Sequence, residues 1–406
     1  MSTLNHTIFI DQGAYAVNGD NLEISESRRE NLFIYRYLAG AQFNSSGKLQ
    51  NNVLCGFVAL TEGDDGDMKL APNAVLINKG VITLKMKDLY DKSVNDKSVK
   101  ADALRAYAMA AGENSVLINE GVINICMDYD KDSETTMYCC AMWAEANSML
   151  INRGEIHFYG NGSYQSLIRG VGGVANNLHV VNEGVITADV ERAFQTRILH
   201  SAGHGGSLIN KGKIKLKVSG RIMTIGSVTG TTMINEGEIE AVSLATLING
   251  KIPYLFNFPP MATGMYEHFR PGKMLPAPVV NKGSIKIHLV GSEKSGSEAI
   301  AFGFYYQMEN KDENNETPVR YVSNEGTVEV TQEGPQKYIT AELGVNMQLG
   351  FDNPVKMKVL KWNRGKSDHV LACRSAEFDI SSAALTENDV FQTSDAKLKN
   401  LTCKIK

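Results

Sequence analysis

The chain has 406 residues, 43% hydrophobic and 21% charged, with 41 basic against 45 acidic side chains and a net charge of −4. That balance describes a folded chain, and the lack of a basic surplus argues against nucleic acid as a partner. No apolar run of the roughly 18 residues needed for a membrane helix is present, and Met1 to Ile8 lacks the basic start and apolar core of a secretory signal.

Residues 1–70 carry strand-like pieces at 7–10, 32–38 and 53–58 and read as an N-terminal cap of degenerate coils. The acidic, Gly-rich stretch 62–67 lacks the terminal Glu of a calcium loop and reads as a solvated turn. Residues 71–335 are dominated by one phrase, Leu76-Ile77-Asn78-Lys79-Gly80-Val81-Ile82, which returns around Asn119, Asn152, Asn182, Asn210, Asn235, Asn281 and Asn324. The gaps between copies vary from 25 to 46 residues, so the unit is constant and the spacer is not.

After each Gly, apolar and polar residues alternate, as in Lys213-Ile214-Lys215-Leu216-Lys217-Val218, the period of a strand with one buried face. A second apolar stretch lies between phrases, as in 106–112, 138–143, 197–203 and 221–226, so each repeat supplies about three short strands. Such strands cannot bury their faces alone and must stack on their neighbours. The expected fold is all-β, a single-stranded parallel β-helix with N- and C-terminal caps. Stacking aligns the eight Asn side chains in a hydrogen-bonded ladder, and the Gly two residues on is expected at a corner with positive φ. The residue between them alternates strictly in sign through Lys79, Glu120, Arg153, Glu183, Lys211, Glu236, Lys282 and Glu325. Opposite charges on adjacent strands attract, so this column reads as a register device.

The Pro-bounded segment 253–278 breaks the pattern and is expected to be a loop leaving the rod. Its residues Tyr254, Phe256, Phe258, Tyr266, His268, Phe269 and Arg270 are the candidate binding residues. Just before it, Leu247-Ile248-Asn249-Gly250 looks like a phrase that has lost its middle residue. Residues 336–406 lose the phrase, keep strand-like runs at 370–373 and 377–380, and read as C-terminal coils and a cap, with Asn363-Arg364-Gly365 as a last echo.

The six cysteines have no paired C-x-x-C spacing and read as free, mostly buried thiols. His200 and His204 lack a third ligand, and no metal or cofactor is expected. Arg169-Gly170-Val171-Gly172-Gly173 lacks the Lys and Ser/Thr of a phosphate loop and reads as a turn. Among the 45 acidic residues, the pairs Asp189/Glu191 and Glu238/Glu240 are candidates for glycosidic chemistry. Lys213, Lys215 and Lys286 oppose the second pair on flanking coils, so register pairing is expected there instead, and no catalytic residue is assigned.

The repeated phrase resembles the passenger repeats of bacterial autotransporters and filamentous-haemagglutinin-type surface proteins, over residues 75–330. The resemblance implies a right-handed β-helix on the bacterial cell surface or secreted, binding a protein or glycan ligand on a cell surface through its loops, with no active site in the rod. The missing secretory signal, the missing C-terminal membrane barrel and the six cysteines depart from that family and point to a cytoplasmic alternative. The expected function is a non-enzymatic, adhesin-like interaction rod. A carbohydrate-active β-helix of the tailspike or lyase type is the alternative, with a secreted effector or cytoplasmic scaffold as a third.

Overall fold

The computed structural model describes residues 3–405 except 5–7, 12, 26–27, 30–51, 63–67, 88–103, 131–135, 164, 174, 229, 245–260, 270–276, 292–299, 309–318, 335–338, 348–353, 375, 381–390 and 394–401. One coil illustrates the architecture. Val116–Asn119 is its first strand, Val122–Asp128 its second and Thr136–Ala144 its third. Each pairs in parallel with its counterpart one coil on: Asn119 faces Asn152, Ile123 faces Ile156 and Met142 faces Val171. Twelve first strands, from Tyr15–Asn18 to Thr402–Ile405, form one sheet. Second and third strands join in another of 22, since Val185–Ser201 and Lys213–Val228 run through both faces. The chain is therefore the all-β parallel β-helix that the repeat predicts. Only Arg28–Arg29 and Met68–Leu70 pair antiparallel among the described strands, both against Asn52–Glu62.

The alternation in the sequence sets the core. Leu76, Leu117, Leu150, Val180 and Leu208 stack inside the first sheet, and Ile82, Ile123, Ile156, Ile186 and Ile214 inside the second strands, all fully buried. Each such side chain contributes about 1.5–3 kcal/mol by leaving water. Third strands differ, because both their faces are buried; all nine residues of Ile300–Met308 are covered. Cys139 and Cys140 accordingly sit on opposite sides of one third strand and are both buried, Cys139 in the central core and Cys140 in a second cluster with Tyr107, Tyr138 and Trp143. Cys55, Cys126, Cys139, Cys140 and Cys373 are free thiols.

The asparagine column is hydrogen bonded throughout. Each Nδ2 donates to the Oδ1 of the next at 2.8 Å, from Asn78 through Asn119, Asn152, Asn182, Asn210, Asn235 and Asn281 to Asn324. The column begins one coil earlier than the phrase suggests, since Asn18 donates to Asn78, also at 2.8 Å. It ends where Asn324 donates to the backbone carbonyl of Asn363. A register shift after Val322 puts Trp362, not Asn363, opposite Asn324, so the last echo of the phrase is displaced by one residue.

The corner glycines are not what their spacing predicts. None of Gly80, Gly121, Gly154, Gly184, Gly212, Gly237, Gly283 and Gly326 has positive φ. A Cβ on any of them would lie 1.9–2.1 Å from a carbonyl oxygen of the coil before, so close coil-to-coil approach demands glycine there. Positive φ belongs to the other corner, five residues before the ladder Asn in the first seven coils of the column. Gly13, Asn73, Asn114, Asn147, Asn177, Gly205 and Gly230 fill it, with φ between 54° and 74°. Asn and Gly are the residues that tolerate this left-handed conformation.

Candidate functional site

The outward positions of the second strands carry the acids considered for chemistry. Glu238 lies 2.9 Å from Lys213, whose ammonium hydrogen bond holds the carboxyl below its ordinary range, with Lys286 adding to the effect. Glu240 lies 3.7 Å from Lys215 and faces Lys286 on its other side. Lys286 in turn faces Glu329, which meets Lys366 at 3.0 Å. Asp189 faces Lys217, and Glu191 faces Asn161. The expected register pairing of Glu238 and Glu240 is thus present atom by atom. Beside it, Glu240, Lys286, His288, Glu329 and Thr331 line an open depression of about 380 Å³.

The same matching runs along the corner column. Glu120 bridges Lys79 at 3.7 Å and Arg153 at 3.4 Å, Glu183 bridges Arg153 at 3.1 Å and Lys211 at 3.7 Å, and Glu236 meets Lys282 at 3.4 Å.

Among the described residues two acids are buried, Glu267 and Glu342, and both bond to the surrounding fold. Glu267, on a third strand, accepts from the Gly230 amide at 3.2 Å and lies 3.9 Å from Arg320. Burial outweighs the attraction of Arg320 and pushes its carboxyl up to about 7. Glu342 accepts from the Trp362 indole at 2.7 Å and the Gly365 amide at 3.0 Å.

His200 and His204 sit in different surroundings, the first buried and the second half-buried. His200 is buried beside Trp143, and burial together with Arg169 and Arg197 pushes its imidazole well below the ordinary range, so it is neutral. The His204 amide is bonded to the Asn176 side chain. Among the described residues no three His, Cys, Asp or Glu side chains converge to hold a metal. The Gly-rich piece 169–173 is not a turn either; it lies inside the strand Gln165–Gly173. Its glycines answer close backbone contact, a Cβ on Gly170 falling 2.5 Å from the Ile198 carbonyl and one on Gly172 2.0 Å from that of His200.

The expected loop at 253–278 is narrower than its prolines suggest. Met261–Phe269 is a third strand of the stack, paired with Ile222–Val228 before it and Ile300–Met308 after it. Tyr266 is 3% exposed, donates to Gln307 at 3.2 Å and stacks on Tyr305 with ring centroids 5.7 Å apart. Its bulk fills a core position, so as a loop-borne contact residue it is corrected. His268 is half-buried 6.3 Å from the Tyr266 ring, and Phe269 ends the strand opposite Met308. Tyr254, Phe256, Phe258, Arg270 and the shortened phrase at 247–250 lie outside the described residues.

The residue before each ladder Asn points outward and is aliphatic in eight successive coils: Val17, Ile77, Ile118, Ile151, Val181, Ile209, Ile234 and Val280. Two residues earlier, a second outward column is apolar in the first four coils, with Tyr15, Val75, Val116 and Met149, then polar at His179, Ser207 and Thr232. Tyr15, Val17 and Met149 are the most open, at 68%, 46% and 41%.

No curated protein and no solved structure matches the chain. Residues 2–177, somewhat less than half of the chain and reaching the corner before Asn182, match the family model described as the BigA third pectate lyase-like domain, and it is to that domain that the first coils of this β-helix are similar.

Proposed function

We propose that this chain is a non-enzymatic β-helix rod that works by binding, in the manner of the bacterial surface passengers its repeat resembles, on or outside the cell. The observation that carries this reading is the fate of the outward acids. Glu238, Glu240 and Glu329 each face a lysine of an adjacent coil, and Glu120 and Glu183 are held between two cations. Carboxylates neutralised in this way hold register; glycosidic cleavage needs two that converge on one bond with different protonation states. Specificity then falls to segments let out between strands, with Tyr254, Phe256, Phe258 and Arg270 the first residues to probe, and the partner is a protein or glycan on a cell surface.

The test is a glycan and protein binding array with the whole chain, run beside an assay for release of reducing or unsaturated sugar ends from each glycan bound. Binding without release supports the rod, and loss of that binding on replacing the four residues with Ser locates it. Release of sugar ends would overturn the reading. A carbohydrate-cleaving alternative draws on the depression that holds Glu240 and Glu329 around Lys286. It requires E240Q or E329Q to abolish release.

A further inference from the structure

From the outward face of the first sheet we infer a self-docking surface: two copies of this chain pack these faces together with their rod axes antiparallel. Eight coils of Val and Ile, one side chain per coil, make a flat aliphatic stripe beside a column of alternating charge. With coils about 4.8 Å apart and one outward side chain per two residues at about 3.3 Å each, the stripe covers roughly 250 Å², its side chains half-buried except for the more open Val17.

The occupant follows from period and charge. A ridge of β-branched side chains repeating once per coil nests along its length only with a partner of the same period, and a second copy has that period. Face-to-face packing of identical sheets is related by a two-fold axis in the plane between them. When that axis runs along the strands, coil order reverses while each column meets itself.

The charge column then decides where the axis falls. Passing through a coil, it would set every charge opposite one of its own sign. Passing between two coils, it sets each cation opposite an anion. The aliphatic column has eight members, so full overlap puts the axis between the coils of Ile151 and Val181. Ile151 then meets Val181, Ile118 meets Ile209, Ile77 meets Ile234 and Val17 meets Val280. At the rim Arg153 meets Glu183, Glu120 meets Lys211 and Lys79 meets Glu236. Full burial of the stripe and the opposite-sign placement agree, although neither implies the other. The stripe stops where it should: in the next coil Ser323 takes the aliphatic position and is itself buried beside the register shift. The footprint is below the roughly 800 Å² per partner of a standard interface, so the dimer is reversible.

The test is sedimentation of the whole chain over a wide concentration range, with I118K and I151K, whose side chains point out of the core. A dimer that dissociates on dilution, weakened about tenfold or more by either substitution with circular dichroism unchanged, is the expected result. If either lysine variant loses its β signal, I118T and I151T keep the β-branch and read the same effect. A chain monomeric at every concentration, or a dimer indifferent to these substitutions, would overturn the inference. Orientation is read separately by mixing I77C with I234C chains and adding a bis-maleimide spanning the roughly 10 Å between packed sheets. Crosslinking between unlike chains is expected; crosslinking of I77C only to itself would overturn the antiparallel arrangement.

Discussion

At the scale of single residues, the amide column concentrates stability. Asn182 is fully buried, accepts from Asn152 and donates to Asn210, both at 2.8 Å. Asn182→Ala strands a donor above and an acceptor below, each costing about 1–3 kcal/mol where water cannot reach. Asn18→Ala, at the end of the column, strands one such group. Urea midpoints should therefore fall about twice as far for the first variant as for the second, and equal losses would mean that the ladder is not the main determinant. Glu267 makes a second residue-level prediction. Its carboxyl is raised to about 7 in the folded chain from an ordinary 4.5, so the folded state holds a proton that the unfolded state releases earlier. The stability this gives is complete below pH 4.5 and is lost as pH rises towards 7, by an amount on the order of 3 kcal/mol. Melting temperatures across that window should fall with rising pH, and E267Q should flatten the fall. Both residues differ in how plainly the sequence marks them. Asn182 sits in an eightfold repeat; Glu267 is one acid in a strand, and its burial depends on partners such as Arg320 that are distant in sequence.

Strands and corners were legible to different depths. Alternation after each Gly gave the second strands, and the shared Leu-Ile-Asn gave the first, because each has one wet face and leaves a period of two. Third strands were harder. Buried on both sides, they read as undifferentiated apolar runs, and Met261–Phe269 between prolines read as a loop. Corners misled in a different way. Asn-x-Gly suggested positive φ, yet the left-handed positions are at the opposite corner, and the phrase glycines are excluded from bearing a side chain by the coil before. That distinction is measurable. Gly154→Ala sets a Cβ 1.9 Å from the Gly121 carbonyl, and should cost about 1–3 kcal/mol because backbone cannot rotate away. Gly226→Ala, also in a sheet, meets nothing nearer than 3.7 Å and should leave stability within about 0.5 kcal/mol. If the two variants unfold at the same denaturant concentration, close approach is not the reason for the phrase glycine.

The whole molecule is a one-dimensional stack in which each coil rests on two neighbours, and its stability is close to a sum over coils and their contacts. Cutting it exposes an edge. Residues 1–177 alone would leave Met149–Asn152, Glu155–Asn161 and Gln165–Gly173 without their next strands, with the Asn152 amide unmatched. That fragment should elute as higher oligomers while the whole chain does not, since open strand edges recruit others; a monomeric fragment unfolding as cooperatively as its parent would contradict additive stacking. The segments proposed for binding were the least legible in the sequence, because the spacers between strands follow no period. The amide column has a last consequence. All eight amide-to-amide bonds point the same way, from lower to higher residue number, so the side-chain dipoles add instead of cancelling and the stack has a grammar of direction. At its start Asn18 offers an oxygen, taken by the Asp20 amide; at its finish Asn324 offers a hydrogen, taken by the Asn363 carbonyl. A coil grafted onto the start must arrive with a donor and one grafted onto the finish with an acceptor, so lengthening this protein by insertion keeps the sentence readable only if the inserted coils face the way of the rest.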